Sequence, residues 1–474
     1  MKPAFDLQGK RVLVVGLART GVAASLFCAG RGAQVTATDQ KPESELAGAA
    51  EQLRAAGVAL AVAGYDQVSL AEQDLLIVSP GVPANAPLLE EARKLGIPVW
   101  SEIELAWRFL RGKLVAISGS NGKTTTTSLV AHILKTADIP TLVGGNIGTP
   151  LLSLVNQSND RTVTVAEISS FQLETIDAFH PEIGVLLNLT PDHLDRHASF
   201  EDYANAKLRM FENQHDRDAA ILNADDPEVT RRMPSGPRVY WFSRKKRVVE
   251  GAFIFEESIV FRSDGDETEL LRRADIGLRG DHNVENVLAA SAAAFLVGAP
   301  MAAIAEGVKS FPGVEHRLEF VANIAGVSFY NDSKATNVDA ALKALEAFPV
   351  PQTGTDSGRL LVILGGKDKG SPYTPLREPL AERARVAVLI GAASEKIAGD
   401  LAGAIPLERA GTLERAVQFA AQHAKSGDTV LLAPACSSFD QFDNYEQRGR
   451  IFKELVAKLP GAVRQIAPAP ATHG

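Results

Sequence analysis

Leu114-Val115-Ala116-Ile117-Ser118-Gly119-Ser120-Asn121-Gly122-Lys123-Thr124-Thr125 carries the strongest structural signal in the chain. An apolar run without alternation predicts a strand buried on both faces. Two glycines then break it, and a helical pattern opens at Lys123 and closes near Lys135. Strand, glycine loop, Lys-Thr, helix is the order of a phosphate-binding loop. Backbone N–H groups of such a loop cradle phosphates, the Lys123 amine reaches the terminal ones, and the Thr124 hydroxyl suits Mg²⁺. Gly119, Ser120, Asn121, Gly122 and Thr125 complete the candidate nucleotide-binding set. Position 117 is Ile where a longer loop carries its first Gly, so the reading rests on the short Gly-Ser-Asn-Gly-Lys-Thr form.

Outward from this stretch, similar Val/Ile/Leu runs recur at 11–15, 75–78, 162–168, 183–189, 360–364, 386–390 and 429–432. Most are followed by Gly, Pro or Ser and then a helical pattern, which predicts parallel strands in α/β layers. The runs fall into three clusters, so the expected architecture is three α/β domains. These are a Rossmann-like domain over 1–101, a P-loop ATPase-like domain over 102–312 and a second Rossmann-like domain over 313–474. Residues 238–262 read as a small antiparallel excursion, 351–358 as a polar surface loop, and the Pro/Ala-rich 467–474 as a disordered tail.

The 474 residues are 45% apolar and 22% charged, which excludes a disordered or fibrous chain. Net charge is 49 − 57 = −8 without a basic run, which argues against a nucleic-acid or membrane-surface binder. With only Cys28 and Cys436, a disulfide-stapled fold is not expected. No apolar stretch reaches the ~18 residues of a membrane span, and the start does not read as a signal peptide. The expected compartment is the cytoplasm.

Other motifs sit at strand ends, where α/β sites are built. Gly16-Leu17-Ala18-Arg19-Thr20-Gly21 resembles a dinucleotide fingerprint with Ala18 in place of the second Gly, and Asp39 closes the next strand. A plain strand-to-helix turn remains the alternative. Two such turns in separate domains suggest an enzyme that holds a nucleotide-linked substrate and consumes ATP on it. Glu167 closes an apolar strand as a Walker-B-like acid does. His193 and His197 in Thr190-Pro191-Asp192-His193-Leu194-Asp195-Arg196-His197 are four apart, but without a zinc-protease context a Mg²⁺- or phosphate-contacting His is favoured over zinc. In a helix over 200–213, Phe200, Tyr203, Ala204, Lys207 and Phe211 share one face. Periodicity leaves Lys207 either buried there or snorkelling to the rim. In the last third, Glu315-His316-Arg317, Asn331 to Asn337, Gly365 to Gly370 and Ala433 to Phe442 gather bases and polar donors. Cys436 has no evident His partner, which weighs against a nucleophile.

In this order the motifs resemble the Mur ligases of peptidoglycan synthesis, and within them the D-glutamate-adding branch, from Gly16 to about Leu459. The marks specific to that family are Gly144-Gly145-Asn146-Ile147-Gly148, Glu167-Ile168-Ser169-Ser170-Phe171-Gln172-Leu173-Glu174, Asn331 to Asn337, and Pro434 to Phe442. The resemblance implies an ATP-dependent ligase joining D-glutamate to UDP-N-acetylmuramoyl-L-alanine through an acyl phosphate. It implies Lys123 on the ATP phosphates, Thr124 and Glu167 on one Mg²⁺, and His193 with a carbamylated Lys207 on a second. Asn283, Asn286 and Arg317 would contact ATP, with Asp332 and Lys334 between nucleotide and amino acid. Asn146 would meet the substrate phosphate. Arg19, Thr20, Ser79 and Gly81 would line the uridine-diphosphate pocket, where Gln40-Lys41 departs from the family's Thr-Arg. Thr336, Lys369, Ser438 and Tyr445 would contact D-glutamate, Tyr445 standing where a Phe is familiar. A monomer is expected. A folylpolyglutamate-type ligase, without the uridine pocket, and a P-loop regulator without ligase activity are the competing readings.

Overall fold

The computed structural model describes residues 5–65, 68–193, 196–278, 280–352 and 358–461. The tail at 467–474, most of the loop at 351–358, and Leu194 and Asp195 lie outside the described residues. The chain forms two compact units, one running to Arg273 and resuming at Glu285–Val308, the other comprising Ala274–Val284 and the chain from Lys309 onward.

The first unit holds two sheets. β1 (Arg11–Val15), β2 (Gln34–Asp39), β3 (Ala59–Val62), β4 (Leu75–Val78) and β5 (Val99–Ser101) form a parallel sheet in the order β3-β2-β1-β4-β5. The second sheet follows with β6 (Lys113–Ser118), β7 (Thr141–Gly145), β8 (Val163–Glu167), β9 (Ile183–Leu186), β10 (Ala219–Asn223) and β11 (Arg238–Ser243). It is extended by β12 (Gly251–Phe255), β13 (Ser258–Ser263) and β14 (Asp266–Arg272), in the order β14-β13-β12-β11-β10-β9-β6-β8-β7.

β6, the strand that leads into the glycine loop, lies between β9 and β8 and is parallel to both. Leu114 to Ser118 are all buried, as a continuous apolar run requires when both faces are covered. One buried cluster spans both sheets, from Val12 and Trp100 through Leu114 and Leu151 to Leu222. Burial of that apolar surface is the main stabilising contribution. Two carboxylates stitch the seam. Glu104 Oε2 accepts the N–H groups of Asp177, Ala178 and Phe179 at 2.7–3.1 Å, and Oε1 takes Arg108 Nε at 2.8 Å. Glu102 Oε1 accepts the Leu152 N–H at 2.7 Å, whereas its buried Oε2 has no hydrogen-bond partner.

The expected excursion at 238–262 is corrected. β11 pairs parallel with β10 and β12, and the antiparallel part is β12-β13-β14, reaching Arg272. From Val239 to Phe242 half-buried and buried residues alternate as they do in a hairpin strand, so composition alone does not separate β11 from the hairpins. The expected strand at 183–189 stops at Leu186, because Leu187 and Asn188 turn to bond the glycine loop. The expected helix at 200–213 is α-helical over Phe200–Leu208, capped by Ser199, and tightens to a 3₁₀ turn at Arg209–Phe211.

The second unit carries β15 (Glu319–Ile324), β16 (Val327–Asn331), β17 (Leu360–Gly365), β18 (Ala384–Ile390), β19 (Leu407–Gly411) and β20 (Thr429–Leu432), in the order β15-β16-β20-β17-β18-β19. Only β15 runs antiparallel to its neighbour. Leu360, Val362 and Leu364 enter one core while Leu361 and Ile363 enter the other, so β17 is buried on both faces. Among the described residues no helix is long and apolar enough to cross a membrane.

Candidate active site

The glycine loop follows β6, and its helix runs Lys123–Thr136. Gly122 has φ +84°, and a Cβ there would stand 2.3 Å from Asn286 Oδ1, so the position suits glycine on both counts. Lys123 Nζ donates to the Gly119 and Ser120 carbonyls at 2.8 and 2.9 Å. The loop is braced from the side by the segment after β9. Asn188 O accepts the Ser120 N–H at 3.0 Å, Asn188 Oδ1 accepts the Asn121 N–H at 2.8 Å, and the Tyr203 hydroxyl donates to Ser120 Oγ at 2.9 Å. Thr126 Oγ1 meets Asn286 Oδ1 at 3.2 Å.

Glu167, at the end of β8 and 3% exposed, faces this loop. Its Oε2 accepts the Thr124 hydroxyl at 2.8 Å, and its Oε1 accepts Asn146 Nδ2 at 2.9 Å. Lys207 is 2% exposed, with Nζ 3.5 Å from Ser118 Oγ and 4.7 Å from the centre of the Tyr203 ring. Burial holds this amine well below the ordinary lysine value. The Lys123 charge pushes the same way, and Asp192 and Glu167 oppose it. The snorkelling alternative is thereby excluded, since the side chain does not reach the surface.

His193 is half exposed with φ +53°, and its ring meets Asp192 and Phe171. His197 is buried, bonded to Ser170 Oγ at 3.0 Å and stacked on Phe171, with its pKa lowered chiefly by burial. These two histidines do not converge on a zinc site.

In the first sheet, the turn after β1 is closed from β2. Asp39 Oδ2 accepts the Leu17 N–H at 2.6 Å and Oδ1 the Lys41 N–H at 2.9 Å. Gly16 abuts Ser79, which is buried at the end of β4. Thr20 is half-buried in the first turn of the helix Arg19–Ala29. Arg19 Nη2 reaches the Gly148 carbonyl at 2.8 Å, and Arg196 Nη1 reaches that of Gly81 at 3.1 Å. The turns of the first sheet are thus tied to the loops that carry Asn146 and His193.

The second unit gathers its own set. Lys334 Nζ donates to the Tyr445 hydroxyl at 3.1 Å. Asp332 is pushed up to about 7 by burial, against the pull of Arg317 and the Leu318 N–H. Arg448, fully buried, spans two strand-end loops. Its Nε and Nη2 donate to Ser333 Oγ and O at 2.9 and 2.8 Å, and Nη1 reaches Cys436 O at 3.3 Å. The Lys367 N–H meets Ser437 O at 2.8 Å, which joins the ends of β17 and β20 beside Ser438. Cys436 is buried, its thiol raised by burial and 2.9 Å from the Tyr373 hydroxyl, so it is no nucleophile.

Three family descriptions match the chain in sequence: "Mur ligase MurD-like, N-terminal domain" over 10–101, "Mur ligase middle domain" over 117–294, and "Mur ligase, glutamate ligase domain" over 316–436. The UDP-N-acetylmuramoylalanine--D-glutamate ligase of Acidobacterium capsulatum is 53% identical over 461 residues, 97% of this chain and 98% of that protein. The protein of the same name from Koribacter versatilis is 52% identical, covering 96% and 99%. The chain belongs to the Mur ligase family. Two solved Mur ligases of Thermotoga maritima share the fold. UDP-N-acetylmuramate-alanine ligase MurC has a TM-score of 0.57 at 19% identity, covering 94% of this chain and 98% of its own. The MurF ligase in complex with ADP has 0.57 at 18%, covering 95% and 99%. Mur ligases use ATP and Mg²⁺.

For this Mur ligase the first unit brings together Gly119 to Thr125, Asn146, Glu167, Lys207 and Asn286. Asn283, Arg317, Asp332, Lys334, Thr336, Lys369, Ser438 and Tyr445 belong to the second unit. Within it, Lys334 and Tyr445 touch, whereas Lys369 is exposed and makes no hydrogen bond to Thr336, Ser438 or Tyr445. Sequence reading missed Arg196 and Arg448 as members of the framework. Arg448 sits in a helix with charged neighbours and carries no local signal of burial, so only the fold reveals it.

Proposed function

We infer that this chain is the ligase that joins D-glutamate to UDP-N-acetylmuramoyl-L-alanine at the expense of ATP. The observation that carries the reading is 53% identity over 97% of the chain to a ligase of that printed name. The L-alanine carboxylate attacks the ATP γ-phosphorus, ADP leaves, and an acyl phosphate forms. The D-glutamate amine then attacks its carbonyl carbon, loses a proton, and expels inorganic phosphate.

The residues support a division of labour. Residues 1–101 would hold the uridine diphosphate through Arg19, Thr20, Ser79 and Gly81. Residues 102–312 would hold ATP through the loop 119–125, Asn283 and Asn286, and Arg317, Asp332 and Lys334 of 313–474 would be its further contacts. Thr336, Lys369, Ser438 and Tyr445 would take D-glutamate. Lys123 offsets the like-charge repulsion between carboxylate and phosphate, and its amine is already held among loop carbonyls. Asn146, on the far side of Glu167 from Thr124, would orient the substrate phosphate.

The donor set fits a hard divalent cation. Thr124 and Glu167 are in contact, and a hydroxyl and a carboxylate are oxygen ligands of the kind Mg²⁺ takes. They would hold one ion, and His193 with a carbamylated Lys207 a second. Bound Mg²⁺ supplies positive charge to the transferring phosphoryl group. Burial favours the neutral form of the Lys207 amine, which would bond CO₂ with release of one proton and leave an anion with two oxygens. The compartment is the cytoplasm and the working form a monomer.

Phosphate release with UDP-N-acetylmuramoyl-L-alanine, ATP and Mg²⁺ tests the reading. Turnover with D-glutamate and none with L-glutamate or L-lysine is expected. Equal turnover with the L-amino acids would remove the assignment, and activity on a pterin substrate would move the chain to the folylpolyglutamate branch.

A further inference from the structure

Two histidines and an aspartate converge far from the glycine loop. His180 Nε2 lies 2.7 Å and His215 Nδ1 2.8 Å from the same Asp218 oxygen, Oδ2, which also takes the His215 N–H at 2.8 Å. The donor atoms of the three side chains all lie within 4.8 Å of one another, and the rings meet edge to face at 4.9 Å. Among the described residues no other three His, Cys or carboxylate donors converge in this way.

The cluster is built by the fold and not by a sequence motif. His180 stands just before β9, and Asp218 immediately before β10. These strands are parallel neighbours, with Ile183 paired to Ala219. The cluster therefore lies at the amino ends of the strands. The glycine loop lies at the carboxyl end of β6, whose Ser118 pairs with Leu186 at the far end of β9. A strand length, about 10 Å or more, separates the two edges.

We propose that His180, His215 and Asp218 form a site for a Zn²⁺-class transition-metal ion at this edge of the sheet. Two imidazoles and one carboxylate are the donors that such ions prefer and Mg²⁺ does not. Asp218 is 5% exposed in its side chain, and its Oδ1 has no hydrogen-bond partner among the described residues, which leaves an oxygen for the ion. Each imidazole turns a lone pair to the ion by carrying its proton on the other ring nitrogen. Metal–donor lengths of about 2.0–2.1 Å require donors roughly 3.3 Å apart, a small spreading of side chains at a surface turn. His215 is 59% exposed in its side chain, so solvent fills the fourth position. The ion clasps the segments that lead into β9 and β10.

The test uses untagged full-length protein, freed of metal by chelator and held in excess Mg²⁺. Co²⁺ serves as the visible probe and Zn²⁺ as its competitor. One equivalent of Co²⁺ with the ligand-field bands of a low-coordinate site is expected, displaced by one equivalent of Zn²⁺. Zn²⁺ raises the melting temperature by a few degrees. His215→Ala, at an exposed position that folding tolerates, lowers Zn²⁺ affinity about tenfold or more and abolishes the melting shift. Asp218→Asn, which keeps the side-chain shape, does the same, while Glu167→Gln leaves binding unchanged. Retention of the bound equivalent in His215→Ala, its loss in Glu167→Gln, or no binding above Mg²⁺ would each overturn the site. The last outcome would leave a hydrogen-bonded clasp.

Discussion

The turns after β1 and β6 are the same local device, and they do different things. Each follows an interior strand with a parallel neighbour on both sides, and each opens a helix. Each is faced by an acid at the end of a neighbouring strand, Asp39 on β2 and Glu167 on β8. Asp39 has both oxygens on backbone N–H groups, of Leu17 and Lys41. Glu167 has both on side chains, the Thr124 hydroxyl and the Asn146 amide. Backbone amides cannot turn away without unmaking the turn, so Asp39 is spent on shape. Side-chain donors rotate, so Glu167 is available to a cation. The second turn also faces a buried amine, Lys207.

Three experiments test this contrast. The largest effect is expected at Lys207. Lys207→Ala lowers ligase turnover by roughly 10²–10³ or more with the far-UV circular dichroism unchanged, and acetate restores part of it as a surrogate oxygen ligand. Lys207→Arg stays inactive because a guanidinium forms no carbamate. Near-normal turnover of Lys207→Arg would erase the chemical distinction of the second turn.

Exchanging the two acids for amides comes next. Glu167→Gln lowers kcat/KM about 10–100-fold with a raised Mg²⁺ requirement. Asp39→Asn leaves ATP affinity within about twofold and lowers unfolding free energy by about 1–2 kcal/mol, read by urea denaturation. The reverse pattern would show that the acid's partners do not decide its use.

The smallest effect on turnover is expected at Glu102, in the seam between the two turns. Burial pushes its carboxyl up to about 7. A folded-state value above the unfolded one means that the native state holds the proton between about pH 4.5 and 7. Stability therefore falls as pH rises through that window and is level above it. Glu102→Gln removes the slope and raises stability at pH 8 by about 1–3 kcal/mol, with activity retained. An unchanged slope would place the proton elsewhere, with Asp332 the next candidate.

Much of this was legible before any coordinates. β1, β4, β6, β17 and β20 stand where continuous Val/Ile/Leu runs predicted them, because burial on both faces suppresses polar alternation. The loop 119–124 was legible for a related reason: glycines, lysine and threonine act within one turn of each other. The site's framework was less so. Asn188, Arg196 and Arg448 act on residues tens to hundreds of positions away. His193 and His197, at helical spacing, do not converge, whereas His180 and His215, distant in sequence and without a motif, meet on Asp218.

Sequence order alone was enough for the class of fold, the strand–glycine loop–helix unit at 114–136 and the family, since each rests on neighbours in the chain or on residue-by-residue likeness. It was also enough to put Lys207 on an apolar helix face. Whether that amine reached water was decided by packing, because the rim it would have snorkelled to is covered by β6 and Tyr203. The uses of Asp39 and Glu167 were decided the same way. An acid at a strand end reads identically in both places, and its role depends on which donors long-range strand pairing brings within 3 Å.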